Sequence, residues 1–419
     1  MFPDLFRPGR RMRAGAGIGR LVFAVSGAVL GWASPALGVG NLGLGPIDLH
    51  PYFQVSEVYD DNVCRTPDRL CFVDPLKPTL SEEGKDWITI FSPGLRMELP
   101  IRRFRLEAEY RGDFGRYAEF KSENYNDQTV LGDLSMSLPG GLSMAVKDEW
   151  KDGHDPRGYA QNVVLDFYRR NTVRGELGLK AGPKMALTAA YTNMVLNYED
   201  DARNGFRDRT DDISGGTVYF RFLQKTAALL EYTHTVVRFR EPGADNLDSR
   251  AHRGYLGLAW DISTRSRGTI KGGYLRKDFE DPDNDIGRGI FSADIRHEFT
   301  PRTSVRLSGE QDVRESNLAS QPHYLSTGGA MELERLIHPR LTARLGGGFS
   351  RDQYPTDMTL DGETRPRLDN TWNTGIQFDY RPRKWIDLGL RYLYSQRRSS
   401  FDQFEYLDNL FGLNLGVVF

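Results

Sequence analysis

The side chains that most often carry enzyme or metal chemistry are thinly spread through this 419-residue chain. Its seven histidines are His50, His154, His234, His252, His297, His323 and His338. None forms the closely spaced pairs that, with a carboxylate, build a zinc site. No G-x-S-x-G occurs, and "GLSMA" (141–145) reads as the start of a strand, not a nucleophile elbow. A hydrolase built on strands needs Ser–His or Asp–His neighbours. His234 and Asp248 are the nearest to that arrangement, and a solvated pair is the simpler reading. "YDDNV" (59–63) and "DNDIGRG" (283–289) concentrate carboxylates without the full spacing of a calcium loop. Asp60 and Asp61 are thus a candidate divalent-ion pair, weighed against a solvated strand end. No motif calls for a cofactor or for catalysis.

Charge laid out in ladders is a stronger signal. Arg103, Arg105, Glu107, Glu109, Arg111 and Asp113 alternate with Phe104, Leu106, Ala108, Tyr110 and Phe114. Lys147, Glu149 and Lys151 likewise oppose Leu142, Met144, Val146 and Trp150, and Ile386, Leu388, Leu390, Tyr392 and Tyr394 oppose Asp387, Gly389, Arg391 and Ser395. A period of two marks strands with one apolar and one charged face. Mixed charges along a water-filled passage would tune the movement of polar solutes without one dominant selectivity.

The elements that carry these ladders repeat. Tight-turn signals such as "PGG" (139–141), "GPK" (182–184), "STR" (263–265), "TPR" (300–302) and "HPR" (338–340) recur about every 40 residues, and longer polar stretches such as "DQYPTDMTLDGETRPR" separate them. Short turns at one end and long loops at the other describe a transmembrane antiparallel up-and-down β-barrel, with short periplasmic turns and long extracellular loops. The pattern predicts about 18 strands, from 49–59 through 340–353 and 368–381 to 404–419. A propeller has a similar repeat, but strands of about 11 to 16 residues are too long for blades and suit a tilted span. Eighteen strands enclose a lumen that side chains cannot fill, so the apolar faces must meet lipid and the charged faces water. A mean hydropathy of -0.52 is compatible with this, because only one face of each strand must be apolar. Trp87, Phe91, Trp372, Tyr380 and Trp385 fall near strand ends, where interfacial girdles lie.

The first 38 residues read as a signal peptide: a basic start, the apolar "LVFAVSGAVLGW", and small residues before a cut near Val39. Removing it takes away five Arg and one Asp, a net +4, so the formal charge moves from -2 to -6 and offers no nucleic-acid footprint. Residues 39–419 then form one barrel domain. In an oxidising compartment Cys64 and Cys71 are expected to close a disulfide in the first extracellular loop, 60–86. That loop is the first candidate for one that folds inward.

"VSEVYDDNV" (55–63), "YRGDFGRYAEFKSENYNDQTV" (110–130) and "KDGHDPRG" (151–158) resemble hallmark stretches of a beta-barrel porin 2 type family. The barrel pattern resembles that family along the whole mature chain. The resemblance implies an outer-membrane barrel associated with exopolysaccharide export, working with periplasmic and inner-membrane export components. General uptake, a structural or adhesive surface role and a barrel hydrolase are the competing readings.

The chain ends in "LFGLNLGVVF", with Phe411, Leu413, Leu415, Val417 and Phe419 on one parity and Gly412, Asn414 and Gly416 on the other. The last strand is expected to close onto the first, its apolar face in acyl chains. A terminal aromatic on such a strand resembles the signal read by the barrel-assembly machinery. Outer-membrane lipid, lipopolysaccharide and a polysaccharide or other polar solute are the remaining expected partners.

Overall fold

The computed structural model describes residues 42–72, 81–157, 165–200, 204–241, 248–263, 265–318, 321–360 and 362–419. The expected signal peptide lies outside them. Eighteen strands make the wall: β1 (Ile47–Asp60), β2 (Asp86–Ile101), β3 (Phe104–Tyr117), β4 (Tyr125–Ser137), β5 (Leu142–Asp155) and β6 (Asp166–Ala181) lead. There follow β7 (Met185–Tyr198), β8 (Arg209–Leu223), β9 (Thr226–Phe239), β10 (Ser249–Ser263), β11 (Ser266–Phe279) and β12 (Ile286–Thr300). The chain finishes with β13 (Thr303–Leu318), β14 (Gln321–His338), β15 (Leu341–Leu360), β16 (Glu363–Arg383), β17 (Ile386–Ser399) and β18 (Tyr406–Val418). Each pairs antiparallel with the next. β1 also pairs with β18, from Tyr52 opposite Val418 to Asp60 opposite Leu410.

Closure is forced by the solvent. An open strand edge in hydrocarbon leaves each unpaired N–H or C=O short by several kcal/mol, so the only stable sheet there has no edge. Exposure follows the alternation that the sequence displays: Leu256 is 68% accessible, Leu413 57% and Leu230 55%, while Ser350 and Thr371 on inward positions are at 0% and 2%. All five girdle aromatics point outward. The protein therefore has an apolar outside, with small apolar clusters inside in place of one core.

The turn between β2 and β3 is only Arg102 and Arg103, and Arg102 takes φ 38° to make it. The stretch "DQYPTDMTLDGETRPR", expected to be a loop, is instead mostly strand: β15 and β16 continue pairing from Asp357 opposite Pro366 to Leu360 opposite Glu363. Gly362 supplies the left-handed turn at φ 82°. Above the membrane both faces meet water, so a hairpin there needs no apolar alternation, and periodicity does not reveal it.

Candidate functional site

The predicted ladder is on the lumen wall and is largely neutralised there. Arg105 reaches Glu98 of β2 at 2.8 Å and Glu107 at 2.6 Å. Arg96 returns to Glu107 at 2.9 Å and Glu98 at 3.3 Å, closing a four-membered ring of charges. Glu109 accepts from the Tyr52 hydroxyl at 2.8 Å, and Asp113 takes Arg111 at 2.9 Å and the Ser92 hydroxyl at 2.5 Å. Lys147 lies 3.7 Å from Glu149, which Arg170 also meets at 3.0 Å, and Lys151 stands over the Tyr168 ring at 5.5 Å. Arg103 does not join them, because it is taken up by the Arg102–Arg103 turn: β3 begins at Phe104, one residue later than the alternation implies, and Arg103 is left exposed. The same pairing continues round the wall in Arg174–Glu176, Lys271–Glu231, Arg306–Asp294 and Arg344–Glu334. Pairs this close cancel at long range, so the wall is hydrophilic without a field of one sign.

Sequence periodicity does not show what narrows this lumen. Pairing between β12 and β13 stops at Phe291 opposite Gln311, although β12 begins at Ile286 and β13 runs to Leu318. Beyond that point the β13–β14 tip meets inward residues of strands it does not border. Arg253 of β10 lies 3.3 Å from Asp312 of β13. Along the wall those strands are three steps apart, about 14 Å at the usual spacing, too far for a guanidinium to span. The tip therefore leaves the wall and leans across the lumen. Val313 packs with Ala251, Tyr255, Leu275 and Ile290, Lys277 pairs with Glu315, and His323 stacks on Phe279 at 5.3 Å. On its other side Tyr324 stacks on Tyr354 of β15 at 5.0 Å. The tip is thus docked on the inner face of β10–β12, while β14 stays paired with β15 from Leu325 opposite Gln353.

Above it lies a layer of arginines against rings. Arg367 is 3.5 Å from the Phe404 ring centre and 2.7 Å from Asp369. Arg397 stands over Tyr406 at 4.8 Å, and Arg207 over Tyr198 at 3.9 Å while bonded to Asp155 at 2.6 Å. The disulfide loop joins this layer. Cys64 and Cys71 are bonded, Arg157 donates to the Cys64 sulfur at 3.1 Å, and Arg65 sits 5.7 Å over Tyr406. So the described part of the 60–86 loop lies over inward-facing residues at the mouth, and the β13–β14 tip is a second segment that leans into the lumen.

The candidate chemical pairs are occupied otherwise. His234 faces His252 across the β9–β10 ladder at 4.7 Å, while Asp248 accepts from the Phe239 N–H at 2.7 Å. Asp61 is held by Asn409 and by Arg69 at 3.0 Å, and Asp60 accepts from the Asn62 N–H at 2.8 Å. At the seam Phe411, Leu413, Leu415 and Phe419 are exposed outward with Val417 on the same parity, and the Phe419 N–H donates to the Pro51 carbonyl at 2.9 Å.

Comparison with known proteins matched the family described as "Putative beta-barrel porin 2" over residues 49–419. No curated protein matched the chain. Among solved structures it is similar to Acinetobacter baumannii OccAB3 (11% identity, 88% of this chain and 99% of that one, TM-score 0.47). It is also similar to Pseudomonas aeruginosa OccK2 (OpdF), at 10% identity over 88% of this chain and 98% of that one, TM-score 0.47. Pseudomonas aeruginosa opdK gives 10% identity, 89% and 99% coverage and a TM-score of 0.45. With its closed 18-stranded wall, charged lumen and a family match spanning all of those strands but the first two residues of β1, the chain belongs to the beta-barrel porin 2 family and is an outer-membrane porin channel, not an enzyme.

Proposed function

We propose that this channel exports an exopolysaccharide, threaded as a hydrated chain through the lumen toward the cell surface. The observation that carries this reading is the wall itself: its charges are paired with one another, so a polar chain meets hydrogen-bonding groups everywhere and a strong electrostatic trap nowhere. A long polymer moves only if no single segment is held tightly. The half-buried rings of Tyr324 and Tyr354 beside the tip add a stacking surface suited to sugar faces. Delivery would fall to periplasmic export proteins at the short-turn end, and insertion of the barrel to the assembly machinery.

The docked β13–β14 tip favours a second reading, uptake of small polar solutes, since a polymer has to displace it. Deleting the gene and measuring surface polysaccharide separates the two. Export predicts loss of secreted polysaccharide, restored by the wild-type gene. Unchanged secretion, with ion conductance of the purified barrel intact, overturns export and leaves uptake.

A further inference from the structure

The outer wall across β9, β10 and β11 carries a slot that channel function does not use. The registers place three outward columns side by side. On β10 the column rises through Leu258, Leu256, Gly254, His252 and Arg250, flanked by Leu230, Tyr232 and His234 of β9 and by Gly272, Tyr274 and Arg276 of β11. The lower rows are wholly apolar, with Leu256 at 68% and Leu230 at 55% accessible. At the next level Tyr232 and Tyr274, 52% and 59% accessible, flank Gly254 in register, with the Tyr274 hydroxyl turned over Gly287 of β12 and Tyr232 reaching up to His252. A side chain at Gly254 or Gly272 would meet nothing within 4 Å, so the space between the two tyrosines is an open groove.

Polar groups close the top of that groove. Tyr232 and His252 share a hydrogen bond at 2.7 Å, which fixes the imidazole at the groove's rim, and His234 stacks against it. Arg276 is paired with Asp278 at 2.7 Å, and Arg238 farther up with Asp212 at 2.7 Å. Arg250 is exposed and makes no ion pair among the described residues, although Asp278, held by Arg276, is its register partner on β11. From the top, then, come Arg250 beside Asp278, two histidines beside Arg276, an open groove at Gly254 flanked by two tyrosines, and acyl-facing leucines. That vertical order matches one kind of molecule: a lipid whose phosphate sits just above its acyl chains.

We infer that this slot binds a phosphorylated glycolipid of the outer leaflet, lipopolysaccharide. One acyl chain lies along Leu256 and Leu258, the glucosamine rests between Tyr232 and Tyr274 over Gly254, and the phosphate meets Arg250 and His252. The groove matters as much as the charge, because only a position without a side chain lets a sugar ring approach the strand.

The test uses full-length protein purified from outer membranes and stripped of lipid. Binding is titrated with lipopolysaccharide, with the same lipopolysaccharide after enzymatic removal of its phosphates, and with inorganic phosphate. Arg250→Glu and the groove-filling Gly254→Leu should each bind intact lipopolysaccharide about tenfold more weakly, as expected for a surface cation facing anionic lipid. Arg351→Glu, outward on β15 and away from the slot, should bind as wild type does. Heat-modifiable mobility on gels confirms that each barrel is folded, and Arg250→Gln serves if the reversal misfolds. Equal binding by wild type and both slot variants overturns the proposal, as does full affinity for the dephosphorylated lipid. Complete competition by inorganic phosphate overturns it too, because the site would then hold a free anion.

Discussion

Lys277 and Glu315 meet in a corner of the lumen where Lys277 is 2% accessible. Taking two charges out of water costs several kcal/mol per ion, and the pair recovers it only while both partners stay in place. Among the described residues neither buried ring nitrogen of the adjacent His323 has a hydrogen-bond partner, nor does one oxygen of Glu315. These groups would be solvated if the hairpin tip swung away, so docking is opposed by their desolvation and sustained by Val313, the ion pair and ring stacking. Glu315→Gln leaves a buried lysine uncompensated, a penalty on the order of 3–5 kcal/mol. Single-channel recordings should then show more frequent or larger openings. The double variant Lys277→Met with Glu315→Leu should restore the docked state, and unchanged conductance in Glu315→Gln would show that the tip does not limit the pore. Nothing in "VRESNLASQPHY" announces this contact, since each residue reads as loop or strand end. Only neighbours on other strands, such as Lys277 at 38 residues from Glu315, dock it against the wall.

Among the elements, strand alternation was almost fully legible. Leu388 and Leu390 point outward and Arg391 inward because a strand has no other choice once one face is apolar. Register, tip direction and loop packing were not legible, because they depend on contacts between segments distant in sequence. The disulfide loop shows the division. Two cysteines seven apart in an exported chain announce a small closed loop, but its place against Tyr406 and Asp408 is decided by the seam strands. Opening so short a loop removes roughly 2 kcal/mol of local stabilisation, and the pairing of the wall strands is made without it. Cys71→Ser should therefore speed proteolysis between residues 64 and 85 while leaving the barrel's thermal unfolding unchanged. A large drop in barrel stability would mean that the loop holds the mouth strands together.

For the whole molecule the seam is decisive. β1 and β18 share nine paired positions from opposite ends of the chain, and Phe419 adds one hydrogen bond and an outward ring beyond them. Losing that residue leaves the nine pairs intact, so its removal should change the folded barrel little. Deletion of Phe419 should instead lower the amount of protein inserted in the outer membrane, measured against total exported protein. Normal insertion would show that the terminal aromatic is not the feature the assembly machinery reads.

Strand count, the inside and outside of each strand and the charged lining of the lumen were all legible in the residues, because each is a local consequence of a two-residue period meeting lipid on one face. That period placed Glu107 and Glu149 in the lumen without naming their partners. Arg105 and Arg96 reach Glu107, and Arg170 reaches Glu149, only because register brings their strands level. Folding in three dimensions added the β13–β14 tip that narrows the passage and the groove that Gly254 opens between two tyrosines. Both arise where side chains from different strands become neighbours, and no periodicity along one strand encodes that.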